Sequence, residues 1–263
     1  MSDVLDAVLA DLAAEGDRLE SLVVDLPEQR WRTPTPAPGW DVATQIAHLA
    51  WTDEAAHAAA TDQERWEALM FEVLAGGDRA IDRAALAGGA VAPPEILDRW
   101  RSSRRRLAEA LRARPAHERI PWYGPPMSAT SMATARFMET WAHGLDVHEA
   151  LGVEPEVTDR IRHVAHLGVR ARDYAFSQHR MPPPAEEFRI DLTAPSGDVW
   201  SWGPEDAAQT VTGAAYDFCR LVTQRIHRDD TSLVGIGRDA ELWLGLAQAF
   251  AGPPGQGRDA RHG

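Results

Sequence analysis

Lysine is absent from this sequence and cysteine nearly so, since all 27 basic residues are arginine and Cys219 is the one thiol. Without lysine there is neither a Schiff-base amine nor the lysine of a phosphate-binding P-loop. A single cysteine cannot form an intrachain disulfide, which fits a reducing compartment. Cys219 lies among apolar neighbours such as Phe218 and Leu221, so we expect a buried, unreactive thiol.

Long hydrophobic runs and positive charge are also scarce. No run of about 18 apolar residues occurs, so no membrane-spanning helix is predicted. The net charge of −13 and the pI near 5.2 argue against nucleic-acid binding, which depends on basic groups. The one basic cluster, residues 101–106, is interpreted as a solvated helix face. The acidic N-terminus differs from a secretory signal, so a cytoplasmic location is expected.

Apolar residues recur at helical spacing through most of the chain. The predicted helices span residues 3–26, 41–60, 63–86 with a break at 76–77, and 95–113. A fifth is capped by Ser128 or Ser131 and ends near 151–152, and a sixth spans 158–177. The fold class is therefore mainly α, with a helical bundle over residues 1–182.

The composition changes after the proline run at 182–184. Residues 188–193 and 199–202 alternate apolar and polar side chains around a turn, which predicts a β-hairpin. Further helices are predicted at 205–225 and 240–250, before a loose tail at 251–263. Residues 183–263 are thus predicted to form a small α/β domain.

One spacing pattern suggests a metal site. Glu139 and His143 are four residues apart in a predicted helix, so their side chains share one face. His48 lies among apolar neighbours, where a buried imidazole needs a partner. Two histidines and one carboxylate leave a coordination position open, as in catalytic zinc sites, and the set also suits non-haem iron. Asp146 is expected to orient a ligand. Glu-x-x-x-His is frequent in helices, so spacing alone leaves open that these residues are unrelated.

Three segments carry a family resemblance. Residues 38–49, PGWDVATQIAHL, resemble the second-helix motif of the DinB-like superfamily, and more narrowly of the mycothiol-dependent maleylpyruvate isomerase family. Residues 139–147, ETWAHGLDV, resemble the second metal motif of that family, with Glu139 where many DinB-like proteins have histidine. Residues 210–218, TVTGAAYDF, leading to Arg225, are similar to the second domain of that family.

The resemblance implies a DinB-like bundle that binds one divalent metal through His48, Glu139 and His143. Zinc is the expected ion, with iron or nickel as alternatives, and mycothiol is the implied thiol cofactor. Arg225 stands where the family has a functional arginine, although a helix-end residue that interacts with the helix dipole explains it almost as well.

The leading functional hypothesis is a thiol-dependent isomerase or S-transferase that acts on a small unsaturated acid. A metal-activated thiolate would add to the double bond; loss of the thiol after bond rotation gives isomerisation, and its retention gives transfer. Arg225 is expected to bind the substrate carboxylate. Trp51, Trp122 and Tyr123 are expected to form walls of the cofactor pocket.

Two other functions fit the same triad. One is a metal-dependent hydrolase or lyase that activates water at the open position. The other is a non-catalytic binder of a metal or small molecule. A monomer and a homodimer are both compatible with the sequence.

Overall fold

A computed structural model describes residues 2–252, 254–255 and 257–261. Its contacts divide the chain into two compact units, residues 1–155 and 156–263. None of the helices in these described ranges has both the length and the apolar character needed to cross a membrane. The helices of the first unit are α1 (Ser2–Val23), α2 (Val42–Thr61), α3 (Gln63–Gly76), α4 (Ala80–Gly89), α5 (Pro93–Ala113) and α6 (Ala129–Leu151).

Helix α2 is the centre of the first unit. It begins after Asp41, whose side chain accepts hydrogen bonds from the backbone N–H and the hydroxyl of Thr44, as expected of an N-cap. The helix contacts α3, α4, α5 and α6, and its many alanines allow these neighbours to approach closely. Nearly all of α2 from Val42 to Ala60 is therefore buried, including several of its polar side chains.

Helix α6 lies beside α2 and has the predicted ends. The Ser128 hydroxyl accepts from the N–H of Ser131 at 3.1 Å, which identifies Ser128 as the cap. Gly152 ends the helix with a left-handed φ of 70°, a conformation in which glycine carries no Cβ penalty. The predicted break at 76–77 is also confirmed, because a short 3-10 turn at Gly77–Arg79 separates α3 from α4.

The second unit combines short helices with a four-stranded sheet in the order β2-β1-β3-β4. Its elements are α7 (Arg162–Arg170), α8 (Arg172–Gln178), β1 (Arg189–Thr193), β2 (Val199–Trp202), β3 (Thr210–Ala214), α9 (Ala215–Val222), β4 (Val234–Ile236) and α10 (Arg238–Leu244). The predicted hairpin is confirmed, with β1 and β2 antiparallel. Strand β3 runs parallel to β1 and antiparallel to β4.

Two helix predictions in the second unit are wrong in part. Residues 210–214, predicted as helix, form β3, because the β-branched run from Thr210 to Thr212 favours an extended backbone and pairs with β1. The helix begins only at Ala215. The second predicted helix, 240–250, ends at Leu244, and the short strand β4 before it was not predicted.

The division at 155/156 precedes the composition change at 183, which gave the predicted boundary. The difference comes from α7 and α8, which contact α9 and α10 respectively and so group with the sheet. Part of the predicted loose tail, residues 253, 256, 262 and 263, lies outside the described residues. Within the described part, the Arg261 N–H donates to Asp230 at 2.8 Å.

Candidate metal centre

Helices α2 and α6 bring the three predicted ligands together. The Glu139 Oε2 atom lies 3.3 Å from Nε2 of His143 and 3.6 Å from Nε2 of His48. One potential ligand atom from each side chain lies within 4.8 Å of the others. Two ligand atoms each about 2.1 Å from a tetrahedral zinc ion are about 3.4 Å apart. The two separations from Glu139 are therefore close to what one shared ion requires.

The surroundings of Glu139 favour its charged carboxylate. Burial by itself would raise its pKa, but hydrogen bonds from His143 and His48 and the positive charge of Arg136 together lower the pKa well below the usual value. A half-buried carboxylate between two imidazoles is a hard, charged ligand for a divalent cation.

The side chain of Gln45 determines that Nδ1 of the His143 ring carries a proton. The Oε1 atom of Gln45 lies 2.5 Å from Nδ1 of His143, so Nδ1 carries the proton that it donates. Nε2 then either carries a second proton, which it donates to Glu139, or, in the neutral ring, directs a lone pair towards Glu139. A lone pair 3.3 Å from a carboxylate is repulsive unless a proton or a cation lies between them. The donor set thus fits a divalent cation.

Trp40, directly before the cap of α2, lies over the two histidines. Its ring stacks on His143 at 5.8 Å with an interplanar angle of 16°, and its centroid is 5.1 Å from that of His48. Sequence reasoning assigned no site role to Trp40 or Gln45. Both belong to the 38–49 motif, and Gln45 precedes His48 by three residues, which is the signal that could have identified it.

The family model described as the mycothiol maleylpyruvate isomerase N-terminal domain matches residues 12–148, more than half of the chain. This protein belongs to that family. The match confirms the resemblance given by the two metal motifs, which both lie within it.

Two uncharacterised proteins, from two strains of Mycobacterium tuberculosis, are 56% identical over 250 residues, which cover 95% of this chain and 97% of each relative. The crystal structure of a mycothiol-dependent maleylpyruvate isomerase has a TM-score of 0.60 at 18% identity, over 88% of this chain and 92% of that chain. A histidine-to-alanine mutant of such an enzyme gives the same TM-score and identity over 90% and 95%. At this identity, the likeness establishes the fold. Residues 184–234 also match the model described as wyosine base formation.

The three aromatic residues expected to bind the cofactor form one cluster together with Trp66. Trp51 stacks on Tyr123 at 6.4 Å, and Trp66 stacks on Trp122 at 5.6 Å. Burial and the charge of Glu72 raise the pKa of Tyr123 to about 12, so its hydroxyl stays protonated near neutral pH. A cofactor-binding role for Trp51, Trp122 and Tyr123 remains a prediction.

Arg225 belongs to the second unit and lies just after α9. Its backbone N–H donates to the carbonyl of Arg220 at 2.8 Å, and its guanidinium donates to the carbonyl of Thr223 at 2.6 Å. Both bonds satisfy carbonyl groups at the end of the helix, which is a stabilising position for a cation. The predicted contact of Arg225 with a substrate would therefore have to form in addition to these two hydrogen bonds.

A buried ion pair lies one turn from the ligands on each helix. The Arg136 guanidinium donates to Asp53 at 2.9 Å and to the hydroxyl of Thr52 at 2.5 Å. The Thr52 hydroxyl in turn donates to the backbone carbonyl of His48 at 2.9 Å. These hydrogen bonds therefore join the turn of α2 that follows His48 to the turn of α6 that precedes Glu139.

Cys219 should react far more slowly in the native protein than after unfolding. Its side chain is buried, its S–H faces the carbonyl of Ile161 at 3.4 Å, and burial raises its pKa well above the usual value. We expect a chromogenic disulfide reagent to label the native thiol at least about a hundredfold more slowly than the thiol in urea. Comparable rates in the two conditions would contradict the assignment of an inert thiol.

Proposed function

We propose that this protein binds one divalent metal ion, with zinc as the expected ion, through His48, Glu139 and His143. We further propose that it catalyses a thiol-dependent isomerisation or S-transfer on a small unsaturated acid, with mycothiol as the thiol. The observation that carries the proposal is the spacing of the three ligand atoms, 3.3 and 3.6 Å from Glu139 to the two imidazoles, in a member of this family.

The chemistry of the site follows from its donors. A divalent cation held here lowers the pKa of a bound thiol, so that thiolate is present at neutral pH. Three protein ligands leave a position for the thiol sulfur. Glu139 is the one anion of the triad, so the occupied centre keeps a net positive charge that favours an anionic thiol. The Trp40 ring over both imidazoles limits the approach of water from its side.

Turnover with and without thiol tests the proposal. Zinc-loaded protein should convert a cis-unsaturated keto acid such as maleylpyruvate to its trans isomer, or to a thiol adduct, only when mycothiol is present. Product formation is followed by ultraviolet absorbance and identified by proton NMR. Equal turnover without thiol would instead indicate a hydrolase or lyase that uses water. Metal and ligand binding with no turnover under any condition would indicate a non-catalytic binder.

Replacement of Arg225 tests the proposed contact with the substrate carboxylate. A guanidinium presents paired donors that match a carboxylate, and a hydrogen bond to a charged group contributes about 1.5–3 kcal/mol. We expect Arg225→Gln to raise the KM for the acid by about 10- to 100-fold while KM for mycothiol changes little. Because Arg225 also donates to the Thr223 carbonyl, the thermal stability of the variant is measured in parallel.

Arg228→Gln is the matched control, since Arg228 lies in the same segment and its guanidinium donates to the hydroxyl of Thr231. This variant should keep the wild-type KM for the acid. If Arg225→Gln lowers the melting temperature and leaves KM unchanged, the residue acts only at the helix end.

A further inference from the structure

We propose that Gln45 is a positioning residue of the metal centre. Its side-chain amide fixes the ring of His143 and, through Thr35, the segment that carries Trp40. The inference rests on the proposed metal site and deepens it, because it names the group outside the ligand set on which the affinity for the ion depends.

The amide of Gln45 has one orientation that satisfies its neighbours. Gln45 is fully buried. Its Nε2 atom lies 2.9 Å from the Thr35 hydroxyl and 3.5 Å from a carboxylate oxygen of Asp146, and both can accept a hydrogen bond. Its Oε1 atom therefore faces Nδ1 of His143 at 2.5 Å and accepts the proton there. This bond fixes the tautomer, so that Nε2 of His143 is left as the donor atom beside Glu139.

The same amide reaches the segment before α2. The Thr35 hydroxyl accepts from Gln45 and donates to the backbone carbonyl of Trp40 at 3.0 Å. The backbone N–H of Thr35 also donates to that carbonyl, at 2.8 Å. The Trp40 ring in turn stacks on His143. The contacts therefore connect His143 to Gln45, Gln45 to Thr35, Thr35 to Trp40, and Trp40 back to His143. The tautomer of His143 and the position of its ring therefore both depend on one buried side chain.

A neutral amide in this place also sets the charge of the centre. A histidine ligand commonly donates to a carboxylate or a carbonyl group, and here the amide of Gln45 supplies that carbonyl group, with a carboxylate oxygen of Asp146 3.5 Å from its Nε2 atom. Glu139, which lies beside both imidazoles, is the one anion among the three proposed ligands. A bound divalent ion keeps one net positive charge, which suits an anionic thiol or acid.

The test is the affinity for Zn²⁺ of the full-length protein, measured by competition with a chromophoric chelator. Loss of a hydrogen-bond partner of a metal-binding histidine weakens binding by about 10- to 100-fold, and we expect this loss in Gln45→Ala. Gln248→Ala is the matched control, because Gln248 is also a buried glutamine and donates to the carbonyls of Phe250 and Gly252. It should lower the melting temperature of the metal-free protein and leave the affinity for Zn²⁺ unchanged.

A charge-conserving exchange separates positioning from packing. In Gln45→Glu combined with Asp146→Asn, a carboxylate accepts from His143 and an amide donates to that carboxylate, so the affinity should return to within about tenfold of wild type. If Gln45→Ala binds Zn²⁺ as tightly as wild type, the positioning role proposed for Gln45 is wrong, whereas the proposed metal site is supported. If wild type itself binds no Zn²⁺, the proposed metal function is wrong and the role of Gln45 falls with it.

Discussion

His143→Ala should abolish both stoichiometric metal binding and thiol-dependent turnover. The imidazole supplies one of the three proposed ligands. Without it, Glu139 and His48 are left as two ligands, which are too few to hold the ion. We expect the metal content, measured by elemental analysis after purification without chelator, to fall from about one ion per chain to near background. A metal ion typically contributes several kcal/mol to transition-state stabilisation, so turnover should fall on the order of a thousandfold or more.

His148→Ala is the control for this experiment, since His148 lies on the same helix and its Nδ1 contacts the backbone carbonyl of Val153 at 2.9 Å. It should keep its metal and its activity. Equal metal content in wild type and His143→Ala would show that the ion, if any, binds elsewhere.

Asp53→Asn should cause the largest loss of stability of any single substitution proposed for the first unit. The side chains of Asp53 and Arg136 are only 5% and 2% exposed, so removal of one charge leaves the other buried and uncompensated. Broken buried ion pairs cost about 3–5 kcal/mol, and we expect a loss of this size in the free energy of unfolding, measured in urea by circular dichroism. The variant should also bind Zn²⁺ more weakly, because Arg136 joins α2 and α6 next to the ligands.

An exposed ion pair provides the comparison. Arg112 and Asp6 pair at 3.2 Å, with side chains 51% and 55% exposed, and Arg112→Gln should cost less than about 1 kcal/mol. Similar losses in the two variants would contradict the assigned burial.

The apolar replacement of the buried pair separates stability from site geometry. Burial raises the pKa of Asp53 even beside the positive charge of Arg136, so the desolvation of the carboxylate outweighs its attraction to the guanidinium. Asp53→Leu combined with Arg136→Met should therefore recover most of the stability lost in Asp53→Asn. If the double variant is stable but binds Zn²⁺ less well than wild type, the pair sets the register between α2 and α6.

Local signals in the sequence determined most of the first unit. The 3.6-residue periodicity predicted its helices. The candidate caps, Ser128 or Ser131 at the start and Gly152 at the end, predicted where α6 begins and ends, because such residues satisfy backbone groups within a few positions of themselves. The i, i+4 spacing was enough to place Glu139 and His143 on one face of that helix. The metal motifs, which are also contiguous, identified the family.

Only the tertiary structure decided which side chains meet across helices. Gln45 contacts His143, and Arg136 contacts Asp53, across 98 and 83 positions of sequence. Such contacts depend on how α2 and α6 pack against each other, and no sequence pattern within either helix predicts this packing. Strand β3 illustrates the same limit, since the short β-branched run from Thr210 to Thr212 forms a strand by pairing with the parallel edge of β1. The sequence by itself thus determined the helices of the first unit and the candidate metal ligands. Packing alone decided the hydrogen-bonded surroundings of those ligands, because buried polar groups must find partners wherever the fold places them.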